Sequence, residues 1–245
     1  MTNPTGLRVF FLMLAALSAT CSGQGTKHCA DDPSAAKLGP WPPSTPPSNL
    51  LLGIIELGRS SNVCMGIELV DTSLIERGMP KAIESSGAVE WAIQSLLSDV
   101  PEYCAEKRGR ILSVRPCNRS HDTWLDFKLR RFSLPTRQLQ LMSNDLYSWL
   151  SAEVDPKKPT FGHFRYGDPL NTVGPYDESN ISVRRLLDKF VSDSRGAMWI
   201  TVRPYERRPN NAEPDRFWLI AEYDNEPLML SVAPQIQTGF PKTGK

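Results

Sequence analysis

The sequence predicts an α+β protein made of two related small modules, each a short sheet with helices packed on one face. Three observations carry that prediction: a helical stripe that occurs twice, strand-like alternation beside each copy, and a recurring order of helix, strand, helix and hairpin. The stripe is clearest where residues 85–99 lie over residues 179–193. Val89, Ala92, Ile93, Leu96 and Leu97 match Val183, Leu186, Leu187, Phe190 and Val191, the i, i+3, i+4, i+7, i+8 spacing of one buried helix face.

The elements of the first copy follow in order. Leu50, Leu51, Ile54, Ile55 and Leu57 mark a helix that Asn49 or Ser48 can cap and that Gly58 with Ser60 and Ser61 can end. Residues 62–70 alternate, with Val63, Met65, Ile67 and Leu69 on one side and Cys64, Gly66 and Glu68 on the other, which predicts a strand with one buried face. A second strand is expected near Met79 to Glu84, then the helix from Val89 to Ser98. Residues 103–107 and 110–114 read as a hairpin about Arg108 and Gly109.

The second copy has longer connections. Leu125, Phe127 and Leu129 alternate with charged residues as an entry strand, and Met142, Leu146, Trp149 and Leu150 form a helical stripe. Phe161 to Tyr166 supplies a strand and Val183 to about Ser192 the repeated helix, at whose start Asn180 and Ser182 are good caps. Ala197 to Val202 is expected to pair with Phe217 to Tyr223. The predicted boundaries are a signal peptide over 1–23, a Pro-rich linker over 24–48, a first module over 49–117, a second over 118–230 and a flexible tail over 231–245.

The signal rests on Arg8 before the apolar run Val9 to Leu17, with small residues following to about Gly23. That run is too short to span a bilayer, so the mature chain is expected to be exported, periplasmic or extracellular, with no transmembrane segment. The 28 basic and 27 acidic side chains become equal once Arg8 is removed. No net field then attracts nucleic acid or an anionic membrane surface, and neither is an expected partner.

Export permits disulfides, and Cys29, Cys64, Cys104 and Cys117 allow three complete pairings. Cys64 and Cys104 lie in strand-like stretches and could face one another, leaving Cys29 with Cys117. The competing reading is isolated buried thiols, since free Cys packs as a small core residue.

The first half resembles the secretin and TonB short N-terminal (STN) domain, as in uncharacterised exported bacterial proteins. The resemblance runs over residues 48–116 and is carried by Leu50 to Leu57, Val63-Cys64-Met65-Gly66-Ile67-Glu68, Val89 to Leu97 and Arg110-Ile111-Leu112-Ser113-Val114, with a fainter echo over 135–224. It implies a small periplasmic module that binds protein partners.

No cofactor, metal site or catalytic group is expected. His28, His121 and His163 have no i, i+4 His partner, and no nucleophile elbow, phosphate loop or zinc-protease signature occurs. The functional expectation is therefore a non-enzymatic binding protein whose partner is an envelope protein or envelope component. Arg108, Gly109 and Arg110 in the hairpin, and Arg207 and Arg208 in the loop from Arg203 to Asp215, are its candidate binding residues. The alternative is a hydrolase of a small molecule or glycan, acting in a cleft between modules with His163 as acid or base.

Overall fold

The computed structural model describes residues 29–39, 47–79, 87–118, 124–139, 141–142, 145–146, 149, 161–164, 172–194, 198–202 and 216–220. The expected signal peptide, the expected strand beyond Met79, the candidates Arg207 and Arg208, and the tail all lie outside those residues. The architecture is mixed α+β, as expected. No helix among the described residues is long and apolar enough to cross a membrane.

The first half opens with α1 (Leu50–Ser60), whose Asn49 side chain accepts from the Leu52 amide at 3.0 Å. The helix runs through Gly58 and ends at Ser60 with Ser61 as its C-cap, where Ser60 and Ser61 are expected to end it. The chain then turns at Asn62, which adopts φ 53°, a left-handed conformation that Asn tolerates. The Asn62 amide donates to the Arg59 carbonyl and the Val63 amide to the Gly58 carbonyl, closing a Schellman motif that delivers the chain into the sheet. Then follow β1 (Cys64–Leu69), the short α2 (Ser73–Glu76), α3 (Val89–Leu97), β2 (Tyr103–Arg108) and β3 (Ile111–Pro116). The β2–β3 turn is Gly109-Arg110, one residue later than expected, with Gly109 at φ 61° supplying the positive φ a two-residue hairpin turn requires.

The second half adds β4 (Lys128–Leu134), β5 (Arg137–Gln138), a stretch in which the described positions between 139 and 149 are helical, and β6 (Phe161–Phe164). After these come β7 (Thr172–Val173), β8 (Tyr176–Ser182), α4 (Val183–Asp193), β9 (Met198–Val202) and β10 (Arg216–Ile220). The Ser182 hydroxyl caps α4 by accepting from the Arg185 amide at 3.3 Å. Asn180 belongs instead to β8, which pairs antiparallel with β4; that strand was not anticipated.

Six strands form one sheet in the order β2-β3-β1-β9-β10-β6. Within it the repeat is explicit. β3 lies between antiparallel β2 and parallel β1, just as β10 lies between antiparallel β9 and parallel β6. The halves join where β1 runs parallel to β9, Met65 to Leu69 opposite Met198 to Val202. Strand order is therefore preserved between the triplets while strand direction reverses. That relation is a half-turn about an in-plane axis perpendicular to the strands, and such a turn also exchanges the faces of the sheet.

The helices obey the exchange. Stripe residues of α1 and α3 share a core with Met65, Ile67, Leu69, Leu112, Val114, Met198 and Ile200, on one face. Leu139, Met142 and Leu146 and the α4 stripe share the other with Cys64, Ile111 and Trp199, joined by Leu129, Phe132, Tyr176 and Ile181 of the β4–β8 pair. Consequently every residue of β1 is buried, and the one-sided strand expected from its alternation is covered on both faces.

Cys29, Cys64, Cys104 and Cys117 pair, but as Cys29–Cys64 and Cys104–Cys117, with Cα separations of 5.3 and 5.1 Å. The expected Cys64–Cys104 link fails because β3 lies between β1 and β2, pairing Cys64 with Ile111 on one side and Cys104 with Arg115 on the other. The Cys29 link also pins residues 29–39, assigned by composition to a linker. Ala30 donates to the Asn62 carbonyl, Leu38 donates to Gly87, and Lys37 bridges Ala88.

Two predictions follow from this packing. Non-reducing peptide mapping should recover the Cys29–Cys64 and Cys104–Cys117 peptides; a Cys64–Cys104 peptide would contradict the strand order. A Cβ at Gly66 would stand 2.4 Å from the Trp199 ring, so Gly66→Ala should cost about 1–3 kcal/mol of stability by overpacking. Chemical denaturation of the variant would check this.

Candidate anion-binding cavity

The β2–β3 turn and the polar face of α4 border an open cavity of about 440 Å³, lined by Arg108, Arg110, Arg184, Arg185, Lys189 and Asp188 among others. Five cations thus face one carboxylate. Two physical causes bring them together. α4 turns its apolar stripe into the core, which leaves Arg184, Arg185, Asp188 and Lys189 on its outer side. The hairpin of the first half projects Arg108 and Arg110 to the same place because the β1–β9 junction sets the triplets edge to edge.

Asp188 anchors the arrangement. Its Oδ1 accepts from Arg108 at 3.1 Å and from the Trp199 Nε1–H at 2.9 Å, and Arg108 lies 5.9 Å from the Trp199 ring centroid. Hairpin, helix and β9 are held by this one contact group. Burial pushes the Asp188 carboxyl up from its ordinary range, against the opposing pull of Arg108, the Trp199 donor and Arg184. Burial likewise draws Arg108 and Arg184 down.

Around the cavity, Arg184 pairs with the buried Glu68 of β1 and with Asp126 at 3.1 Å, while Lys189 pairs with Glu178. Arg110 meets Asp31 at 2.7 Å and Lys107 meets Asp32 at 2.7 Å, so the pinned N-terminal segment brings two adjacent carboxylates to the hairpin. Among the described residues, the Nε–H groups of Arg108 and Arg110 are buried without a hydrogen-bond acceptor. Convergent guanidinium groups suit a carboxylate or another oxyanion.

Of the binding residues read from sequence, the structure brings Arg108, Gly109 and Arg110 into one site. Arg207 and Arg208 fall outside the described residues. His163 lies on β6 opposite Trp218, and its side chain is outside what the structure describes. No group of three or more His, Cys, Asp or Glu suited to a metal ion occurs among the described residues. Sequence reasoning missed Arg184, Arg185, Asp188 and Lys189, although the repeat held a usable signal. The equivalent positions of α3 are Glu90, Trp91, Gln94 and Ser95, so the basic helix face is peculiar to the second copy. No protein-family model, curated protein or solved structure matches the chain.

The hairpin end of the site also makes a pH prediction. Lys107, with the Ser34 hydroxyl and amide, holds the Asp32 carboxyl down at about 2, against an ordinary 3.8. A carboxyl depressed by folding contributes stability that is complete above its unfolded value and lost as pH falls through the folded one. NMR titration of Asp32 should give a midpoint near the lower value, moving back toward the ordinary one in Lys107→Ala.

Proposed function

We propose that this protein is an exported, non-enzymatic interaction protein of the bacterial envelope, and that it receives an anionic surface of a protein partner in the cavity between hairpin and α4. The observation that carries the reading is the convergence of four arginines and a lysine on one cavity in a chain of net charge +1. A basic site on a neutral protein is local recognition chemistry and not a global field. Two disulfides support an oxidising compartment, in keeping with the apolar N-terminal run. The STN resemblance of residues 48–116 supports a protein as the partner.

Crosslinking and affinity capture from envelope extracts is the test. The intact protein should recover a reproducible protein partner, and Arg110→Glu with Arg185→Glu should lose it while keeping the wild-type melting profile. Failure to recover any partner, or equal capture by the charge-reversed protein, would remove the proposal.

A further inference from the structure

The partner surface can be specified further, on the understanding that this rests on the cavity's role proposed above. We infer that the cavity recognises an acidic peptide segment with neighbouring carboxylates, and that Asp31 of this chain is an internal competitor for Arg110.

Size decides first. At about 440 Å³ the open cavity is well beyond what one small oxyanion fills. The chain then supplies its own precedent for the bound chemistry. Asp31 and Asp32, consecutive on a segment fixed by Cys29–Cys64, place their carboxylates 2.7 Å from Arg110 in the hairpin turn and from Lys107 near the end of β2. Adjacent peptide carboxylates are therefore already received by this hairpin. The Asp31 side chain is 93 % exposed, so it sits at the rim and leaves the cavity beyond Arg110 open to another acid.

Within the cavity, Arg185 is an exposed cation of α4. The amino end of α4 at Ser182 adds the positive end of a helix of 11 residues. Arg108 and Arg184 are committed to Asp188, Glu68 and Asp126. Arg110 and Arg185 are thus the cations through which an incoming acid gains most, the first of them by displacing Asp31.

The test uses the full chain with both disulfides formed and a fluorescein-labelled hexapeptide bearing two Asp-Asp pairs, followed by anisotropy at low and physiological salt. The acidic peptide should bind saturably and its Asn-substituted counterpart should not. Arg110→Glu and Arg185→Glu should each weaken binding about tenfold, the scale of one charge-assisted contact. Asp31→Asn should tighten it about threefold, a gain on the scale of a rim ion pair that loss of folding cannot imitate. Absence of saturable binding, indifference to the two reversals, or no gain from Asp31→Asn would overturn the inference. Displacement of the peptide by inorganic phosphate at equal carboxyl and phosphate concentrations would overturn it in favour of a simple oxyanion site, and preferential binding of anionic lipid vesicles would do so in favour of a membrane surface. The two readings fail separately. An envelope partner captured through Arg110 and Arg185 by a protein that does not bind the acidic peptide sinks the peptide inference alone, whereas peptide binding without any envelope partner sinks the envelope reading alone.

Discussion

Where β1 meets β9, Gly66 leaves the volume that the Trp199 indole fills, and the two residues face one another in the parallel register. Removing 150–250 Å² of aromatic surface from water is worth roughly 4–6 kcal/mol as an upper estimate. The indole also ends in a hydrogen bond to Asp188, which holds Arg108. A single packing event therefore joins the two strand triplets, orients α4 and fixes the first hairpin. Without it the cations of α4 and those of the hairpin would belong to different surfaces.

The half-turn between the repeats explains why the joined sheet is covered on both faces. Each triplet carries its helices on one face, and exchange of faces covers the joined sheet with α1 and α3 below and α4 with Leu139, Met142 and Leu146 above. β1, at the seam, becomes an interior strand with no exposed residue. β2, at the outer end of the sheet, carries Glu106, Lys107 and Arg108, as suits an edge that must not pair with another chain. Its seam counterpart β9 is Met-Trp-Ile-Thr-Val, with no charge at all.

Much of this was legible in the sequence because helix periodicity is local. The stripe of Val89 to Leu97 over Val183 to Val191 marked two helices whose starts are matched to the residue, and the hairpin was displaced by only one position. What depended on long-range pairing was not legible. Alternation in residues 62–70 cannot tell that a second sheet half covers the other face, and nothing local tells that β3 separates Cys64 from Cys104. β8 was hidden because Asn180 and Ser182 read equally well as helix caps, a role that only Ser182 fills. For the site, Arg108 and Arg110 were visible as a charged turn, while Arg184, Arg185 and Lys189 lie off the shared stripe, where the first copy has Glu90, Trp91 and Ser95. In a duplicated scaffold the shared positions report packing, and the positions where the copies differ report what one copy has been adapted to do.

Fold and cavity both rest on the parallel seam between β1 and β9. Nuclear Overhauser spectroscopy on the isotopically labelled protein tests it most directly. Cross-strand contacts between the backbone protons of residues 65–69 and 198–202, in the register that sets Gly66 against Trp199, are the predicted result. Strong contacts within each triplet with none across the seam would contradict the account.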